Sequence, residues 1–310
     1  LNQEHRKQIT YVLCTNSINL TEEILHLCKE YNILISTSLD GPAFIHNHNR
    51  GKTDSYNRVI EGINKVRNYL GADKVSALMT TSELSISHPK EIVDNYILNG
   101  FNNIFLRPLN PYGLALNSTN WNIYFDKFFE FYKQALNYII DINIKGKFFV
   151  EEFTAILLRK ILTPFTTGFV DLQSPAGIIN SVVVYNYDGY VYASDESRML
   201  AEYHDYTFRL GHVTDNYENL FYGDKAQQIA LIWGTEFIAG CADCAFQSYC
   251  GADPVRNHST QNDMYGFRPT SSFCKKHKAI ITYLFSLIQS EHDRVMPIFK
   301  QWINRNENDF

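Results

Sequence analysis

The chain predicts an α/β fold: parallel strand–helix units fill its first half, and a smaller region with a β-hairpin and C-terminal helices follows. Three observations predict it. Apolar, β-branched runs at 8–16 (QITYVLCTN), 32–42 (NILISTSLDGP) and 73–81 (DKVSALMTT) alternate with stretches of helical periodicity. Two alternating runs flank Asp188-Gly189 within 181–196, which is a hairpin signal. Four of the six cysteines fall between Cys241 and Cys274.

Taken in order, 8–16 reads as a buried strand. Thr21 caps the next helix, with Glu22 and Glu23 near its positive end. Cys28 lies on that helix's apolar stripe and reads as a core cysteine. The second strand ends in Asp40-Gly41-Pro42, which is good turn chemistry. A loop (AFIHNHNRGKT) and a helix over 54–69 follow. His46 and His48 stand two apart in that loop without a third ligand, so they read as surface residues and not as a metal pair. After the third strand come a helix over 89–98, a fourth strand in FNNIFLRPLNPYG, and amphipathic helices over 121–144 and 150–161. Short helices are expected at 216–222 and 225–231, and longer ones at 275–288 and 290–303. The plausible domain boundary lies at 165–174.

Short connections between alternating strands and helices imply parallel βαβ units, whose ligand groups gather at the carboxyl ends of the strands. Those ends carry Thr15, Asn16, Ser38, Asp40, residues 80–83 and Arg107. For Arg107 the bland reading is a pair with a structural carboxylate. Composition narrows the function class. Hydrophobic residues make up 45% of 310 residues, so the chain buries a large core. The net charge of −5, without a basic block, argues against a nucleic-acid partner. No run of about 18 apolar residues points to a membrane span. The polar opening LNQEHRKQ does not read as a signal peptide. With Cys14 and Cys28 isolated, a reducing cytoplasm is expected.

The cysteine stretch reads C-x2-C-x5-C followed by a distant fourth cysteine: Cys241, Cys244, Cys250 and Cys274. Four thiolates on one centre mean tetrahedral zinc or an iron–sulfur cluster. Two disulfides in a secreted domain are the other reading, and the rest of the chain, α/β in texture, disfavours it.

The TN and SLDGP strand ends, the YNYDGYVYASDE hairpin and the cysteine stretch before a terminal helix together resemble radical SAM enzymes that carry a SPASM domain and modify peptides. More narrowly, LISTSLDGP, KVSALMTT, IFLRPLNPYG, LTPFTTGFVDLQSPAG and CGADPVRNHSTQNDMYGFRPTSSFCKKH look like the radical SAM maturase of His-Xaa-Ser peptide systems. The resemblance implies that 1–165 form the later strands of a partial (β/α)6 radical SAM barrel and 166–310 a SPASM-like iron–sulfur domain. The family's CxxxCxxC loop, whose cluster cleaves S-adenosylmethionine, is absent here, and so is its GGEP-type motif. The first strand looks like the family's third, so either a preceding piece of about 100 residues or a decayed or separately encoded fragment is expected from the family's barrel. This chain alone is expected not to cleave S-adenosylmethionine.

The resemblance also implies roles. Cys241, Cys244, Cys250 and Cys274 would ligate one auxiliary [4Fe–4S] cluster, while Ser194 and Pro254 stand where the family has cysteines of a second one. Ser38 and Arg50 would meet the methionyl carboxylate of S-adenosylmethionine, with Asp40, Thr15 and Asn16 bordering the cofactor and Arg107 meeting cofactor or peptide. Asp195 would stand where sulfatase maturases have their proposed proton-taking aspartate; a capping or turn carboxylate is the bland reading. Expected partners are a peptide or protein substrate, a companion maturase and a reductant protein. The other functions open at this point are an anaerobic sulfatase-maturase-like enzyme, a peptide-binding or electron-relay module, and a zinc-binding fragment.

Overall fold

The computed structural model describes residues 8–304 apart from 52, 114, 117–119, 231 and 233. The opening residues 1–7 and Leu231, the expected end of a short helix, lie outside the described residues. The chain begins with β1 (Val12–Cys14), α1 (Glu22–Glu30), β2 (Leu34–Ser38), α2 (Ala43–Arg50), α3 (Ser55–Leu70), β3 (Val75–Leu78), α4 (Pro89–Leu98) and β4 (Asn103–Ile104). It continues through α5 (Trp121–Ile144), β5 (Val150–Glu151) and α6 (Glu152–Leu162). Next come β6 (Val184–Tyr185), β7 (Tyr190–Tyr192), α7 (Asp195–Ala201), β8 (Arg209–His212), α8 (Tyr217–Tyr222) and α9 (Asp224–Ala230). It closes with α10 (Pro254–Gln261), α11 (Ser272–Ser290) and α12 (His292–Ile303).

By internal contacts the chain divides into two compact units that interleave in sequence. One comprises Leu1–Pro108, Glu130–Ala155 and Pro297–Phe310; the other comprises Leu109–Phe129 and Ile156–Met296.

In the first unit, β1, β2 and β3 form a parallel sheet in that order, with Val12 opposite Leu34 and Ile35 opposite Val75. Parallel neighbours need crossovers, and the helices between the strands supply them. The first crossover starts as expected: Thr21 Oγ1 accepts the Ile24 N–H. Gly62 lets α3 approach the Ser17 carbonyl, because a Cβ there would lie 2.1 Å from that oxygen. The second crossover corrects the sequence reading. The expected loop after Pro42 is a helix, α2, which Gly51 stops at φ 66°. His46 is therefore buried and not on a surface loop, while His48 stays exposed.

The fourth strand is shorter than expected, and β4 pairs in parallel with β5 at the point where a helix was expected to begin. Glu151 explains both departures. Its buried carboxylate accepts the N–H groups of Leu106, Phe153 and Thr154 and the Thr154 hydroxyl. One side chain thus caps α6 and fastens the chain after β4. Among the described residues the sheets stay open, and no closed barrel forms.

In the second unit the expected hairpin is present, with Gly189 at φ 82° in its turn. The sequence reading missed its third strand, β8, which carries a register irregularity opposite Val191 and Tyr192. Tyr112, Ile178, Val191, Ala193, Leu200, Phe208, Leu210 and Val255 form the core beneath this sheet. Among the described residues no helix is long and apolar enough to cross a membrane.

Candidate metal centre and strand-end rim

The cysteine stretch folds as successive tight turns. Cys241 N–H bonds the Ile238 carbonyl, Cys244 N–H that of Cys241, Gln247 N–H that of Cys244, and Cys250 N–H that of Gln247. Each bond spans three residues. In such turns side chains three apart eclipse one another. The spacing C-x2-C-x5-C places cysteines at i, i+3 and i+9, all multiples of three. Cys274 comes from another element, the first turn of α11, whose cap Ser271 accepts the Cys274 N–H. A helix N-terminus favours a thiolate there.

All four cysteines are free thiols. Burial is the first cause raising Cys241, Cys250 (to about 11) and Cys274, and the thiols also act on one another. Cys244 raises Cys241, Cys274 and Cys241 raise Cys250, and Cys241 and Cys244 raise Cys274. Opposing these is the Arg268 guanidinium, which lies against Cys241. The Phe246 N–H donates to Cys244 Sγ at 3.4 Å. Four coupled thiols with cationic and N–H donors fit the chemistry of a thiolate-held metal centre. Among the described residues, no three His, Cys, Asp or Glu side chains stand at metal-holding separation. The thiols are neighbours, not a closed cage.

Of the two positions where the resemblance places lost cysteines, Ser194 caps α7 through a reciprocal pair with Ser197. Pro254 is the first residue of α10, after its cap Asp253. Asp195 lies in the first turn of α7, 62% exposed in its side chain, with Arg198 Nε donating to it at 3.0 Å. The sequence reading missed its better-buried neighbours. Asp253 is pushed up to about 7, by burial first and then by Asp171, and Glu196 rises for the same two causes. The Tyr112 hydroxyl, buried without a hydrogen-bond partner, feels the charges of Asp171, Glu196 and Asp253. The helix register of 195–201 and the Asp253-Pro254 cap are the signals that point to them.

In the first unit, hydrogen bonds stitch the strand ends into one rim. Thr15 N–H bonds the Ser36 carbonyl, Thr80 N–H bonds Asp40 Oδ1 at 3.0 Å, and Thr81 N–H bonds the Arg107 carbonyl at 2.8 Å. Thr15 and Asn16 use their side chains in local turns, accepting the N–H groups of Ser17 and Ile18. Asp40 is wholly buried, and Arg50 grips it with Nε and Nη2 at 2.7 and 2.8 Å. His46 lies behind it, accepting the Asp40 N–H at Nδ1 and meeting Ser55 Oγ at Nε2. Burial is the first cause holding His46 below its usual pKa. The bidentate edge of Arg50 is thus spent on Asp40. Ser38 is half-buried with its hydroxyl unengaged, and Arg107 is exposed with no ion-pair partner, both among the described residues.

No family model matches the chain. It is 31% identical over 132 residues to an uncharacterized protein of Methanothermobacter thermautotrophicus, a match covering 42% of this chain and 47% of that relative. The match therefore spans about half the relative's length. Among solved structures, native anSMEcpe with bound AdoMet superposes with a TM-score of 0.74 over 94% of this chain and 78% of that one, at 18% identity. A hexahistidine-tagged form with bound AdoMet gives 0.75 over 97% and 76%, at 17% identity. A form with AdoMet and the Cp18Cys peptide gives 0.72 over 94% and 78%, also at 17% identity. These likenesses show the fold: an α/β chain with the architecture of anSMEcpe.

Proposed function

We propose that this chain serves in a radical SAM maturase that modifies a ribosomal peptide, of the His-Xaa-Ser type, by 5′-deoxyadenosyl-radical hydrogen abstraction. The observation that carries the reading is the superposition on anSMEcpe over almost the whole chain. The bound AdoMet and peptides belong to those proteins; their places are carried to this chain as part of the proposal. The 310 residues contain no CxxxCxxC, so radical formation is not assigned to them alone.

Within the proposal, Cys241, Cys244, Cys250 and Cys274 hold an auxiliary [4Fe–4S] cluster, with Arg268 easing thiolate formation at Cys241 and the Phe246 N–H bonding Cys244 Sγ. A cluster bound by four protein thiolates has no open iron and supplies electron transfer, not substrate binding. At the strand ends, Ser38 and Arg107 are the unengaged groups able to meet a methionyl carboxylate. Arg50 contributes through Asp40, which it fixes, and Thr15 and Asn16 shape the rim. Asp195 remains the assigned proton acceptor.

The test uses the natural full-length protein, reconstituted anaerobically with iron and sulfide and given S-adenosylmethionine and a reductant. Formation of 5′-deoxyadenosine, together with a mass change on a His-Xaa-Ser peptide, is the expected result. Absence of 5′-deoxyadenosine from iron-loaded protein refutes the reading.

A further inference from the structure

The second unit contains a cavity of about 710 Å³ between the segment after α6 and the cysteine turns. That size lies within the roughly 300–1,000 Å³ typical of ligand pockets. Its wall mixes apolar surface with neutral hydroxyl and amide groups, among them Thr166, Asn180, Gln247 and Ser248.

Its charged groups are already engaged. Lys160 donates to the Leu172 carbonyl and, at 2.7 Å, to the Cys250 carbonyl. Glu236 accepts the Ser174 hydroxyl at 2.7 Å. These partners are neutral, so both side chains keep their charge: Lys160 has a third N–H, and the Glu236 carboxylate has further acceptor sites. The cavity therefore suits a ligand that offers hydrogen-bond donors and acceptors together.

The backbone along the wall narrows the class further. Thr166, Thr167 and Gly168 lie outside helix and strand, and among the described residues their N–H and C=O groups have no partners. Gly168 sits at φ 68°, with nothing within 4 Å of the place a Cβ would occupy, so the main chain is open to close approach. Unpaired main chain facing a cavity is what an extended peptide pairs with. Phe165, 65% exposed, adds an apolar contact to the same lining. Cys250 also lines the cavity, so an occupant lies against one of the four thiols.

We propose that this cavity is a peptide subsite, taking a short hydroxyl- and amide-bearing segment through main-chain hydrogen bonds to residues 166–168. It deepens the maturase reading and rests on it, since the segment would be part of the peptide to be modified.

The test is fluorescence anisotropy of a fluorescein-labelled peptide of about four His-Ala-Ser repeats, at about pH 8 where free histidine is neutral. It uses the full-length protein and its Thr166→Trp and Asn180→Trp variants. Both positions are exposed, so the indoles fill the cavity without disturbing a core. Unchanged circular dichroism checks folding. The proposal expects saturable binding that each variant weakens at least tenfold. Equal affinity in wild type and variants overturns it, as does no binding to wild type or binding of maltotriose in place of the peptide. Peptide-independent formation of 5′-deoxyadenosine, measured alongside, reports on the maturase reading separately: the subsite can fail while that activity persists.

Discussion

Removing Arg50 leaves a carboxylate in the protein interior. Asp40 has no exposed surface, and of its three donors two come from Arg50 and one from the Thr80 N–H. Breaking a buried pair from one side costs about 3–5 kcal/mol. The Arg50 side chain is 35% exposed, so water replaces part of what is lost; the expected cost of Arg50→Gln is about 2 kcal/mol. Asp40→Asn removes the charge, keeps an acceptor for Thr80, and makes Arg50 an ordinary exposed cation. The double variant should therefore be no less stable than Arg50→Gln alone. Urea unfolding of the four proteins gives the coupling energy, expected at about 1–2 kcal/mol. Additivity within about 0.5 kcal/mol would refute the claim that Arg50 is spent on Asp40. It would return Arg50 to the groups free to bind a cofactor carboxylate.

Gly62→Ala sets a Cβ 2.1 Å from the Ser17 carbonyl oxygen, a backbone atom that cannot swing away. A loss of about 2 kcal/mol is expected despite alanine's ~1 kcal/mol better helix propensity, and an unchanged melting temperature would contradict it. Glu151 carries a pH signature: burial raises its carboxyl to about 7 against the hydrogen bonds that pull it down. Its folded pKa is above the unfolded one, so its contribution is fully present below about pH 4.5 and lost as pH rises through about 7, on the order of 3 kcal/mol. Glu151→Gln should flatten the wild-type fall in melting temperature across that window; parallel curves would count against it. Asp195→Asn should slow peptide modification, by about 10²-fold or more for a lost general base. It should spare peptide-independent 5′-deoxyadenosine formation, and loss of both activities would make Asp195 structural.

Much of the chain was legible because its signals are local. Thr21 before two glutamates, Asp188-Gly189 between alternating strands, and three cysteines at multiples of three each name their own geometry. The misses come from contacts that sequence spacing does not carry. Helix α2 was hidden because His46, Asn47 and His48 read as polar loop, although Pro42 and Gly51 mark both ends. His46 faces inward only because Asp40 and Ser55 receive it. Glu151 looked like a helix-start residue, and nothing nearby in sequence announces that the Leu106 N–H would use it. Among the cofactor-facing candidates, sequence located the strand ends; their pairing could only be seen in space. It is Asp40 that takes the Arg50 guanidinium, while among the described residues Ser38 and Arg107 are left unengaged.

The central claim is that Cys241, Cys244, Cys250 and Cys274 form one iron–sulfur centre. Iron and acid-labile sulfide, measured after anaerobic reconstitution of wild type and Cys244→Ala, test it most directly. About four iron and four sulfide per auxiliary site are predicted, with that increment lost in the variant and its thermal stability lowered. One zinc without sulfide, or an iron count that Cys244→Ala leaves unchanged, would contradict it.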